Sequence, residues 1–279
     1  MIDSKNLLSD RLNITPYKSA DSENIEVDNF AIRALKSSTC RLIVGLGFAG
    51  CIKKITESYC PTLYNITVAA LTALHIYSNS KQLIYEVTLA YPVIRSRLDS
   101  TWDWYHQVIP PEEERGGVYL GALPLKNLGH HKMLKKFAIL SLVEDHEMSS
   151  QTPWSDPVTP ADWTKLGTTH IQISTEDFHP VSIANIWEAV LWIEEQVSEG
   201  KNVYVHCKAG RSRSSTVVIA YLLYQRKKAG NLSSKTKSET DNVISFVRKI
   251  RPRIILFKTD CANIEEYCRS LQKSIILCD

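Results

Sequence analysis

The seven cysteines of this 279-residue chain contain no CxxC pair and no Cys/His spacing suited to zinc, and their number is odd. A disulfide framework and a structural metal are thereby excluded as organising devices, and reduced thiols in an intracellular reducing compartment are expected. A surplus of one charge sign is also missing. Thirty-three Lys and Arg face 30 Asp and Glu, a net charge of +3 that excludes a strongly basic nucleic-acid binder. Acids and polar residues from Met1 to Pro16 stand where a secretory signal would place a basic start and an apolar run, so export by that route is not expected. Internal repeats and low-complexity tracts are absent. The apolar stretch Leu42 to Ile52 is too short to cross a bilayer. Ser58 to Ser80 carries no formal charge but is interrupted by Pro61, Asn65, Thr67, Thr72 and His75. Three arrangements stay open for it: a span, a pair of buried or partner-facing helices with Thr62 to Ile76 at mixed helical spacing, or a segment lying on a membrane surface, which Lys53, Lys54, Arg95 and Arg97 would favour.

What is present is a change of pattern at Thr101. Residues 1–98 read as an extension, helical and a candidate for membrane association, and 99–279 as one catalytic domain. Short β-rich runs, Val118 to Leu120, Phe137 to Val143 and Thr169 to Ile173, alternate with helices. Thr159-Pro160 offers a cap and a first-turn proline, and Gly167 closes that helix. Ile183, Ile186, Val190, Ile193 and Val197 recur at helical intervals, and Gly200 ends the run before Val203-Tyr204-Val205 begins a buried strand. The alternation predicts an α/β fold, a mostly parallel central sheet flanked by helices. The polar, basic stretch Arg226 to Thr240 reads as a long loop.

After that last strand comes His206-Cys207-Lys208-Ala209-Gly210-Arg211-Ser212-Arg213-Ser214-Ser215, and then an apolar helix-length run from Thr216 to Tyr224. Strand, tight loop, helix is an anion-binding layout: the backbone N–H groups of Lys208, Ala209, Gly210, Arg211, Ser212 and Arg213 can turn inward, and the unpaired amides and dipole of the helix start favour a phosphate. Cys207 begins the loop, where the same amides stabilise thiolate over thiol. Gly210 permits the tight turn. Arg213 can fold its planar fork across the mouth and hold two phosphate oxygens. Ser214 can donate to the cysteine sulfur. His206 is expected to hold the loop by hydrogen bonding rather than to move a proton.

The segment HCKAGRSRS resembles the signature of the cysteine-dependent protein tyrosine phosphatases, and the short domain resembles their dual-specificity branch. WYHQV at Trp104 to Val108, VYLGALPLK at Val118 to Lys126, DWTKLG at Asp162 to Gly167 and STEDF at Ser174 to Phe178 are similar in order and spacing to the mitochondrial phosphatidylglycerophosphate phosphatases. Residues 1–98 fall mostly outside this resemblance. It implies a general acid on a loop upstream of the cysteine. Asp177 matches that aspartate, with Glu176 its nearest rival, while Phe178-His179-Pro180 departs from the family's continuation. Glu144 and Asp145 are expected at a cap or at the rim of the cleft.

The implied reaction is phosphomonoester hydrolysis through a phosphocysteine, with no cofactor and no metal. Lys208 and Arg211 add positive charge expected to suit a phosphorylated lipid headgroup, a phosphatidylglycerophosphate or a phosphoinositide. Trp102, Trp104, Tyr105 and Trp154 are candidates for an aromatic entrance at a membrane surface. Two alternatives stand beside this: a phosphoprotein substrate, as for a phosphotyrosine or dual-specificity protein phosphatase, and a non-catalytic phosphate-binding adaptor. The adaptor would have no need to keep Cys207, Arg213 and Asp177 together.

Overall fold

The computed structural model of the chain describes residues 69–74, 80–99 and 102–274. Cys40, Cys51, Cys60 and Cys278, the stretch Leu42 to Ile52 and most of Ser58 to Ser80 lie outside the described residues. Helix α1 (Ser80–Leu98) precedes five strands: β1 (Tyr105–Ile109), β2 (Val118–Gly121), β3 (Ala138–Ser141), β4 (His170–Gln172) and β5 (Val203–His206). The other helices are α2 (His130–Met133), α3 (Asp145–Ser149), α4 (Pro160–Lys165), α5 (Ile183–Ser198), α6 (Arg213–Lys228), α7 (Thr236–Ile250) and α8 (Lys258–Lys273). The strands form one sheet in the order β1-β2-β5-β3-β4. β1 pairs antiparallel to β2, and β2, β5, β3 and β4 run parallel.

The period of two along each strand divides the side chains between two hydrophobic layers. Val118, Leu120, Ala138, Leu140, Val203 and Val205 face the main core with the long helices. Ile139 and Tyr204 point to the other side, under Trp163 of α4 and Leu134. Helix α5 follows the expected stripe: Ile186, Val190, Ile193 and Val197 are buried, and Ser182 caps it by accepting from the Asn185 amide at 3.1 Å. Helix α4 starts on the Thr159 capping box with Pro160 in its first turn, and Gly167 beyond it takes φ +67°.

Two features depart from the sequence expectations. The stretch Arg226 to Thr240 is largely helical: α6 runs on to Lys228, where Arg226, Lys227 and Lys228 suit the negative end of the helix dipole, and α7 begins at Thr236, leaving 229–235 as the loop. The second departure is α1. Tyr85, Leu89 and Val93 of this helix belong to the same core as the strands, so its inner face packs on the catalytic fold. Tyr85 donates from its hydroxyl to the Glu147 carbonyl at 2.6 Å. Among the described residues no helix is long and apolar enough to cross a membrane.

Candidate active site

The segments that leave the carboxyl ends of the parallel strands β4 and β5 line one cleft, the usual ligand position of a parallel sheet, and the segment after β3 meets its wall through Glu147 on Arg213. The segment after β5 is the loop Cys207 to Ser212. Its base is fixed from behind. His206 is buried, and its Nε2 meets the Ser141 hydroxyl at 2.7 Å, while that hydroxyl also meets His170 Nε2 at 2.9 Å. Burial holds the His206 imidazole neutral, pushed down to about 3, in keeping with a positioning role.

The turn itself is held by Arg251, which the sequence reading missed. Its Nε donates to the Gly210 carbonyl at 2.8 Å and a terminal nitrogen to the Ala209 carbonyl at 3.3 Å, so both carbonyls turn away from the cleft. Gly210 has φ +65°, and a Cβ there would run into the Gly121 carbonyl and come within 2.8 Å of the Arg251 guanidinium. Gly210→Ala is therefore expected to lower turnover more than about 100-fold and to depress Tm. Gly129→Ala at φ +73° with open space around it should cost only the left-handed penalty of about 1–2 kcal/mol. Thermal melts and aryl phosphate hydrolysis on both variants check this; equal effects would show that the loop tolerates the added carbon.

Ser212 stands at the N-cap of α6 but makes no capping bond. Its hydroxyl donates to Asp260 Oδ2 at 2.8 Å, which leaves the first-turn amides free to face the cleft. Cys207 Sγ lies 3.2 Å from Ser214 Oγ. Burial by itself pushes this thiol up. The Arg213 charge, the Ser214 hydroxyl and the amides of Ser214 and Arg211 outweigh it and hold Cys207 below the ordinary thiol value. Cys261 and Cys268 are also free thiols, and burial raises both, Cys268 to about 11. Removing the hydroxyl in Ser214→Ala should raise the Cys207 value, because the thiolate loses a hydrogen bond that favours its charged form. The acidic limb of kcat/KM should then move to higher pH; an unmoved limb would show that Ser214 does not serve the thiolate.

Arg213 is buried and fully engaged. One terminal nitrogen donates to Glu147 Oε2 and to the Thr175 carbonyl, both at 2.7 Å. The other donates to Glu147 Oε1 at 3.0 Å and Asp177 Oδ1 at 2.9 Å. Burial opposes its charge, yet Glu147, the Cys207 sulfur and Asp177 raise it above the ordinary arginine value. Glu147 is a second residue the sequence reading missed. It closes the capping box of α3 by accepting from the Glu144 amide at 2.9 Å, so Glu144 sits at the cap as expected, and Asp145 accepts from Gln172 at 2.8 Å. The E-x-x-E spacing of Glu144 and Glu147 was its only local signal.

Asp177, on the segment after β4, bridges Arg213 and Lys208. Lys208 is buried, and besides Asp177 its ammonium donates to Thr88 Oγ1 of α1 at 2.7 Å, with the Phe178 ring 5.2 Å away. Glu176 points outward to Lys81 at 2.6 Å. Phe178 takes φ 62°, left-handed and costly for a bulky side chain; it turns the chain so that Asp177 faces in and the Phe178 ring stands at the mouth. Arg211 stacks on Tyr91 and Trp102, 5.6 and 5.9 Å from the ring centres. The cleft has a volume of about 300 Å³, with Cys207 and Arg213 in its wall and Tyr91, Pro92, Phe178, Ile255 and Phe257 around them.

The expected aromatic entrance is corrected by this geometry. Trp104 is buried and donates to the Leu123 carbonyl at 3.2 Å, Tyr105 packs edge-on to Tyr204, and Trp154 lies against the core. Only Trp102 reaches the rim, through Arg211; Tyr91, Phe178 and Phe257 supply the rest.

Residues 126–259 match the family model for the dual specificity phosphatase catalytic domain. The mouse phosphatidylglycerophosphatase and protein-tyrosine phosphatase 1 is 30% identical over 195 residues, which cover 68% of this chain and 90% of that protein. The chain belongs to the dual-specificity phosphatases of this phosphatidylglycerophosphatase type. The phosphatidylglycerophosphate phosphatase PTPMT1 of Arabidopsis thaliana is 29% identical over 204 residues, 73% of this chain but only 53% of that protein, so the match spans about half the length of that relative. A solved structure of PTPMT1 in complex with PI(5)P is 29% identical and covers 61% of this chain and 97% of its own, with a TM-score of 0.48. The match to the catalytic-domain model and to the mouse relative makes this dual-specificity phosphatase a phosphoric monoester hydrolase of the cysteine phosphatase type. The family model starts at Lys126, after α1 and the first two strands; α1 supplies Thr88, Tyr91 and Pro92 to the cleft.

Proposed function

We propose that the chain hydrolyses a lipid-borne phosphate monoester through a phosphocysteine, with Cys207 as nucleophile, Arg213 and the loop amides as phosphate holders, and Asp177 as general acid. The observation that carries the chemistry is the convergence of a lowered thiol, a buried charged guanidinium and a carboxylate on one cleft wall. Cys207 Sγ attacks phosphorus in line and forms the S–P bond, while the bond from phosphorus to the leaving oxygen breaks and Asp177 protonates that oxygen. Water then attacks phosphorus with Asp177 taking its proton, and the S–P bond breaks to return the thiolate, which Ser214 stabilises. The loop amides from Lys208 to Arg213 carry the charge that builds on the equatorial oxygens.

Arg213 has four terminal N–H groups, and Asp177 holds one of them. A phosphate gripped by Arg213 competes with Asp177 for that donor, so seating the substrate and freeing the acid are one step. The lipid reading is supported by the apolar rim of the cleft beside the cations Lys208 and Arg211, and by the phosphatidylglycerophosphatase names of the relatives. The phosphotyrosine alternative draws on the second half of the mouse relative's name.

Release of phosphate measured side by side from phosphatidylglycerophosphate, each phosphoinositide and phosphotyrosine peptides tests the choice. Preference for peptides over every lipid overturns the lipid reading. Arg211→Ala should cost roughly 10–100-fold in kcat/KM on the preferred lipid, about 1.5–3 kcal/mol for one charged hydrogen bond, and much less on a small aryl phosphate. Lys208 is a poorer probe, because its ammonium also holds Asp177. Equal losses on both substrates would reduce Arg211 to a contributor to the loop's field.

A further inference from the structure

Helix α1 has two apolar faces. The inner one, Tyr85, Leu89 and Val93, is in the core. The outer one is Ile84, Val87, Tyr91, Ile94 and Leu98, spaced three, four, three and four residues apart, and each is more than half exposed, from 51% at Ile94 to 79% at Leu98. A single exposed apolar side chain is ordinary; five in one stripe opposite the buried face are a surface that meets something other than water.

Its surroundings indicate what. Tyr91 belongs both to the stripe and to the wall of the cleft, and across the mouth stand Phe178, Ile255 and Phe257, all exposed. At the C-terminal end of the stripe the guanidinium groups of Arg95, Arg211 and Arg253 lie 5.4, 5.9 and 3.8 Å from the ring centre of Trp102. Arg95 pairs with Asp99 at 2.6 Å, Arg253 donates to the Asp103 carbonyl, and the Asp103 carboxylate lies 3.5 Å from His106, so among the described residues three guanidinium groups face two carboxylates here. Burial, and next to it the Asp103 charge and the like charges of Arg211 and Arg95, act on Arg253 and leave it below the ordinary arginine value. Towards its N-terminus α1 is entered from Ser58 to Ser80, which contains no Asp, Glu, Lys or Arg, and Leu71 and Leu74 of the helical stretch 69–74 are exposed.

We propose that the outer face of α1, with the arginine cluster around Trp102, docks this phosphatase onto an anionic lipid bilayer and sets the cleft mouth at the membrane surface. An apolar stripe flanked by arginines is the composition of a helix lying in the headgroup layer, where the side chains enter the acyl boundary and the cations meet the negative surface. A protein bound tightly on Tyr91 would cover the mouth. A fluid bilayer instead delivers a headgroup phosphate to it. The proposal deepens the lipid reading above and rests on it for its biological sense, but its test does not depend on catalysis.

The test is sedimentation of the full chain with vesicles of phosphatidylcholine, with and without phosphatidylglycerol, at low and high salt. It is repeated on Ile84→Ser/Val87→Ser/Ile94→Ser, whose three positions do not line the cleft. The parent should bind the phosphatidylglycerol vesicles, more weakly as salt rises. The variant should bind roughly 100-fold more weakly, for loss of three inserted apolar side chains, and keep its turnover on a soluble aryl phosphate while losing it on vesicle-borne phosphate. A parent that stays in the supernatant, or a variant that sediments equally well, overturns the proposal. So does a variant that loses a dimer in light scattering, or loses thermal stability, while keeping vesicle binding; these outcomes assign the face to a second copy or to residues 1–68 of the chain itself. A parent inactive on every phosphate ester would refute the proposed function and leave the sedimentation result to decide docking alone.

Discussion

Cys207→Ser should abolish turnover, by roughly four orders of magnitude or more, and leave anion binding nearly intact. Serine keeps the loop's shape, and the partners that hold the loop, Arg251 on the Ala209 and Gly210 carbonyls and His206 on Ser141, do not involve the sulfur. Its hydroxyl does not ionise near neutral pH, so the nucleophile is lost while the amides and Arg213 remain. Hydrolysis of an aryl phosphate and calorimetric binding of tungstate on one preparation make the comparison, and activity within tenfold of the parent would refute a thiolate mechanism. The same thiolate makes peroxide an inactivator whose effect thiols reverse, because a lowered sulfur in the wall of the cleft, which a small oxidant can enter, reaches the sulfenic state readily. Cys261 and Cys268, both raised, are the internal controls. Inactivation that tracks oxidation at either of them would place the reactive thiol elsewhere.

The part of this site that was legible in the sequence is the part built from neighbours in the chain. Strand β5, the loop and the start of α6 lie within one continuous segment, so glycine, cysteine and arginine at fixed offsets express the geometry directly. The partners of that segment come from far away and leave no such trace. Glu147 meets Arg213 across 66 positions and Arg251 reaches Gly210 across 41, and neither stands in a local pattern that announces a long-range ion pair or loop clamp. Helix α1 reads as extension for the same reason: its inner face is buried by packing on the core, and Pro92 inside the helix and the buried Glu86 give no local sign of that packing. The stretch Arg226 to Thr240 shows the opposite error. Its polarity suggested a loop, but basic residues close a helix end favourably, and Glu239, Thr240, Val243, Ile244 and Val247 are the buried face of α7.

Asp177→Asn should divide substrates by their leaving groups. With an alkyl leaving group, as on a glycerol phosphate, the rate should fall about 100- to 10,000-fold, the usual worth of a positioned acid; an aryl phosphate with an acidic phenol expels a stable anion and should lose far less. The basic limb of the kcat/KM profile, which reports loss of the acid's proton, should disappear with it. A second readout separates this role from a structural one. Because the carboxylate occupies one N–H of Arg213 and also binds Lys208, the neutral amide weakens both ion pairs and frees the guanidinium for phosphate, so tungstate should bind more tightly to the variant than to the parent. Glu176→Gln is the control. That carboxylate is exposed, and its hydrogen bond to Lys81 holds it below the ordinary value, which suits an ionised surface group and not a proton donor. If Glu176→Gln removes the basic limb and Asp177→Asn leaves it in place, the acid is the neighbouring residue, and the turn at Phe178 must open to bring Glu176 to the cleft.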